Sequence, residues 1–225
     1  MSSSRSGTPK APYDPRPGDR LSARAVDAGE FAADLLVEDA VIADVALSGE
    51  AAEFAEISAS RLEGGTLADT DWHRCSLVDV VVDGVDLANA RFVESLWRRM
   101  RLERCRLTGV VLAGCILEDV TIAGGVLDLT NWRFAQLTRV RFESCTLTGA
   151  DFLEAQLNDV SFEGCDLSGS QFSQARCRRT RLSGCRLDAV QGVTGLAGAT
   201  IAPTDLLSLT EQLAEALGIG VDWEE

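Results

Sequence analysis

The stretch CTLTGADFLEAQLNDVSFEGCDLSG, residues 145–169, carries an apolar residue at every fifth position: Leu147, Phe152, Leu157, Phe162 and Leu167. Extended both ways, the same step runs unbroken from Val37 to Leu187, 31 consecutive positions that are all apolar. With just under half the chain apolar, chance gives such a run roughly once in ten billion, so an internal repeat governs the fold. A second register lies two residues earlier and is mostly small: Cys145, Ala150, Ala155, Val160 and Cys165, with Glu50 and Met100 as misfits. The unit reads small, polar, Leu or Phe, polar, polar, as in CDLSG at 165–169 and ADFLE at 150–154.

A period of five matches neither the 3.6 of an amphipathic helix nor the 2.0 of an alternating strand. Two inward side chains per five residues suit a short extended piece followed by a corner. One such piece buries too little to be stable, and stacked coils bury a continuous core. Gly49, Gly109, Gly149 and Gly169 close four of the units, where a turn needs positive φ.

On these motifs the chain resembles the pentapeptide repeat proteins over about 155 of its 225 residues. The resemblance implies an all-β solenoid, a right-handed quadrilateral parallel β-helix of about eight coils with four pentapeptides in each. At ~4.8 Å per stacked strand the rod is roughly 35–40 Å long.

The ends divide from the rod by composition. Residues 1–20 hold four of the five prolines and read as a flexible N-terminal tail. Residues 21–34, with Leu21 and Phe31, read as the N-terminal cap that an open solenoid end requires. The β-helix occupies 35–194. Residues 195–225 form a last irregular coil and a helix that begins at Pro203, with Leu206, Leu209, Leu213 and Leu217 at helical spacing. That stripe caps the rod or makes a homodimer; in the family's best-known members a similar helix dimerises end to end, and a dimer is the expectation here.

The N-terminus has no apolar stretch of the kind a secretory signal carries. No apolar run approaches the ~18 residues that a membrane span needs. Six of the seven cysteines sit in the small inward register and Cys177 in the large one, so they read as core residues of a reduced, cytoplasmic protein. With no CxxC and one histidine, His73, no metal or other cofactor is expected. No catalytic constellation or phosphate cradle is present, and an enzyme is not expected.

Binding is what remains. The net charge of −14 argues against nucleic acid or an anionic membrane as partner. Residues 1–34 carry five acids and five bases, 35–194 carry 24 and 16, and 195–225 carry six acids and no base. Taken modulo twenty, Glu63, Asp83, Glu103, Glu143 and Glu163 fall in one outward column, with Arg61, Arg101, Arg141 and Arg181 beside it. Another column alternates in sign: Asp79, Arg99, Asp119, Arg139, Asp159, Arg179. The family includes fluoroquinolone-resistance and topoisomerase-protecting members that resemble DNA in width and charge. The resemblance therefore implies a DNA mimic that binds DNA gyrase or topoisomerase IV, the carboxylate column meeting a basic saddle. The alternative is a structural scaffold for an unrelated protein. Val93, Val111, Phe134 and Leu153, outward and apolar on the aromatic side, would then form its contact strip, with Leu96 and Ile116 on the next side.

Overall fold

In the computed structural model, which describes residues 7–31 and 34–220, the chain winds as a parallel β-solenoid of about nine turns. Parallel partners lie twenty residues apart: Leu96–Glu103 pairs with Ser76–Asp83 on one edge and Ile116–Ala123 on the other. Gln136–Glu143 and Gln156–Glu163 continue the ladder. Each turn has four sides. Two carry these strands. The other two are joined mostly by single bridges, such as Asp86 to Arg106 and Arg91 to Val111. The turn beyond the expected eight comes from the ends. Ser22 pairs with Ala40 at one end and Ala199 with Thr180 at the other, across 18 and 19 residues rather than twenty.

Every fifth residue from Asp34 to Ala189 has positive φ, including the four glycines at 49, 109, 149 and 169. Each pentapeptide thus turns its corner through one left-handed residue, two places after the large inward side chain. An L-residue held there costs roughly 1–2 kcal/mol. Stacking on the coils above and below fixes the conformation, so even Leu129 and Phe134 adopt it.

Of the 31 large register positions, all but Cys177 are buried. Trp132, Phe152 and Phe172 stack ring on ring at 5.8 and 5.0 Å, and Phe142 on Phe162 at 4.9 Å. The small register does more than make room. Thr70 and Thr130 accept the indole N–H of Trp72 and Trp132 at 2.9 and 2.8 Å. Ser60 and Ser95 accept the backbone N–H of Ala40 and Cys75 on the preceding coil, each at 3.1 Å. Cys105 and Cys115 donate to carbonyls, and burial pushes both thiols up to about 11. Met100, a misfit by size, is fully buried, as an unbranched flexible side chain allows.

Both open ends are closed. Phe31, on the short helix Ala28–Phe31, packs edge-on against Trp72 at 4.7 Å. At the other end the expected single helix is broken into Pro203–Leu206, a tight turn at Leu207–Leu209, and Thr210–Ala216. Ser208 and Thr210 donate their hydroxyls back to Asp205 and Leu207 carbonyls, which competes with a continuous helix. The leucine stripe is divided accordingly. Leu209 is buried in the core and Leu213 packs against it, whereas Leu206 and Leu217 face outward with Leu207 and Ile219. Asp205 turns inward and its Oδ2 accepts the N–H of Cys185 at 2.8 Å, as Ser60 does for Ala40.

Candidate partner-binding faces

The expected carboxylate column exists. Glu63 aligns with Asp83, Asp83 with Glu103, and Glu143 with Glu163, with Ala123 interrupting between Glu103 and Glu143. Most of it is neutralised in place. Arg101 binds Glu103 at 2.6 Å, Arg104 binds Asp83, and Arg141 lies 3.1 Å from Glu143 and 3.9 Å from Glu163. The guanidinium of Arg101 hydrogen-bonds Glu103 and holds its carboxyl below the usual range.

Charge is segregated along the axis. Residues 72–194, the regular coils, hold fifteen acids and fifteen bases. Residues 34–71, the first coils, hold ten acids and one base. With the six acids and no base of 195–225, the net acidity belongs to the first coils and the C-terminal residues.

The apolar residues do not join into one strip. Val93 and Leu153 share a column but are separated by Ala113 and Arg133, and Arg133 is paired to Asp151 at 2.6 Å. Val93, Val111 and Leu153 are half-buried; Phe134 stands 52% exposed on a corner. The exposed apolar residues nearest it in sequence are Ile116, Val126 and Leu129. Leu129 and Phe134 occupy the two corners of one side of one coil, a pairing that the five-step register conceals because corner positions look interchangeable.

The segment expected to be a flexible tail is seated on the rod from Gly7 to Gly18; residues 1–6 lie outside the described residues. Lys10, Tyr13 and Arg16 donate their backbone N–H to Oδ1 of Asp159, Asp119 and Asp79, each at 3.1 Å. Each of these aspartates also receives a forked guanidinium from the next coil: Arg179, Arg139 and Arg99, at 2.5–2.6 Å through Nε. The Arg139 guanidinium lies 5.7 Å from the centre of the Tyr13 ring. Asp119 and Asp159 are only 4% exposed beneath the segment. The signal was present in the sequence as prolines at 9, 12 and 15 and aspartates at 79, 119 and 159, two periods with no evident connection until the coils are stacked.

Among known families, the model for pentapeptide repeats (8 copies) matches residues 86–122, and the model for a pentapeptide repeat region matches 135–193. No curated protein matches the chain. Among solved structures, two trypsin-treated variants of QnrB1, a plasmid-mediated fluoroquinolone resistance protein, are 22% identical. They align over 90% of this chain and 97% and 98% of their own, with TM-scores of 0.40 and 0.43. HetL, a protein involved in heterocyst differentiation regulation from the cyanobacterium Nostoc sp. strain PCC 7120, is 17% identical over 75% of this chain and 87% of its own, with a TM-score of 0.31.

Proposed function

From the premise that the chain is a pentapeptide-repeat protein, we propose that it is a non-enzymatic binding rod whose partner is DNA gyrase or topoisomerase IV, engaged where duplex DNA would lie. The observation that carries this reading is the charge distribution: neutral coils between two acidic ends. Such ends attract a basic saddle and steer its approach, while the ion-paired middle adds little net attraction. Leu206, Leu207, Leu217 and Ile219 are exposed on the C-terminal module, and through these apolar residues two copies form a homodimer. Dimerisation brings Glu211 and Glu215 of both copies to the centre of a double-length rod. The seven free thiols suit a reducing, cytoplasmic setting.

A scaffold for an unrelated protein is the second reading, favoured by the exposed corner pair Leu129 and Phe134. Titrating the purified protein into a gyrase supercoiling assay, with and without a quinolone, separates the two. The topoisomerase reading expects inhibition or drug relief at low micromolar protein, weakened by Glu211→Gln with Glu215→Gln and unaffected by Phe134→Ser. Absence of any effect at tens of micromolar removes it in favour of the scaffold.

A further inference from the structure

Three residues of the N-terminal segment advance by two coils of the rod: Lys10 to Asp159, Tyr13 to Asp119, Arg16 to Asp79. Two coils span ~9.6 Å. A polyproline II helix advances ~9.3 Å in its three-residue turn, so the two repeats coincide. Burial follows the same period: Pro9, Pro12 and Pro15 are half-buried while Lys10, Ala11, Tyr13 and Asp14 between them are exposed. A strand would show a period of two.

The chemistry at each step is matched. Proline presents no N–H where the backbone faces the rod and its ring presets φ close to the polyproline II value, so little order remains to be imposed on binding. The residue after each proline supplies the one N–H, which an ionised, arginine-oriented carboxylate accepts. The register ends after Arg16: the next two-coil step from Asp79 falls on Asp39, whereas Gly18 donates its backbone N–H to the carbonyl of Ala59, one coil from Asp79. The chain then enters the strand at Ser22.

We propose that the corner formed by Asp79, Asp119 and Asp159 with Arg99, Arg139 and Arg179 is a binding site for polyproline II segments with proline at every third residue. The chain's own residues 9–17 hold it in cis, and a separate chain of the same Pro-x-x register takes it in trans when they are released. The hydrogen bonds that set the register are made by backbone N–H groups, so the site reads the proline register and tolerates variety between prolines. This site is independent of the topoisomerase contact.

The test uses the full-length protein and a fluorescent peptide of residues 7–18. In one variant Pro9→Gly, Pro12→Gly and Pro15→Gly together loosen the segment without altering the rod. The peptide binds this variant at least about tenfold more tightly than wild type, whose tethered segment competes at high effective concentration. A second peptide, N-methylated at Lys10, Tyr13 and Arg16, keeps every side chain and loses the three donors. Its affinity falls by at least about tenfold, a decade in Kd. Equal affinity of the two peptides, or no binding to the variant, overturns the proposal. In the unmodified protein, the amides of Lys10, Tyr13 and Arg16 exchange more slowly than those of Ala11 and Asp14; equal rates overturn it as well.

Discussion

Asp79 and Asp159 show how one side chain serves two partners. Each accepts a guanidinium from the coil above and a backbone N–H from the N-terminal segment. The arginine hydrogen bond is the larger cause that depresses both carboxyls below the ordinary range; burial opposes it, and the segment's N–H adds to it. A carboxyl depressed in the folded state contributes stability above its unfolded value, ~3.9, and loses it as pH falls through the folded value. The melting temperature is therefore expected to drop as pH falls below about 4. In Asp79→Asn with Asp159→Asn the melting temperature is lower at neutral pH and the acid loss is smaller. Parallel profiles for the two proteins would show that these carboxyls do not couple to stability. The large inward register was legible residue by residue, because a side chain either fits the core or does not. What could not be read was the second duty of the small register, such as Thr130 taking the Trp132 indole, since threonine there passes equally for a space-filler.

Among the elements, the rod and its N-terminal plug follow from the repeat: an open solenoid end needs an apolar cover, and Phe31 was the aromatic available. The C-terminal module was half legible. Helical spacing located its leucines, but Ser208 and Thr210 redirect the backbone and give Leu209 and Leu217 opposite surroundings. The two duties separate by substitution. Asp205→Ala strips the acceptor from the Cys185 N–H and is expected to cost about 1–3 kcal/mol, read as a lower urea midpoint, with Asp205→Asn recovering most of it. Leu217→Glu, on an exposed position, should halve the mass seen by sedimentation and leave the midpoint unchanged at dilutions where the wild type is also monomeric. An unaltered midpoint in Asp205→Ala would mean that the last turn is not held by this bond. The proline-rich segment was misread because its composition matches flexible chain; its partner is a column assembled from residues forty apart, and only the stacked coils bring those together.

The molecule as a whole is a stack of about nine turns whose middle is charge-neutral and whose ends are acidic. On the topoisomerase reading proposed above, the DNA-like surface is the acidic first coils and C-terminal module rather than a uniformly anionic wall. Exposed ion pairs contribute little to stability one by one, and the regular alternation of sign up the Asp79 to Arg179 corner keeps like charges from facing each other between coils. Acid left unmatched at the ends is then available to a partner. Gyrase holding a short fluorescent duplex provides the most direct test: the full-length protein is titrated in and release of the duplex is followed at two salt concentrations. The account predicts complete displacement at low micromolar protein, with one-site competition and a midpoint that rises steeply with salt. Duplex that stays bound at tens of micromolar protein, or a ternary complex that forms without displacement, would contradict it.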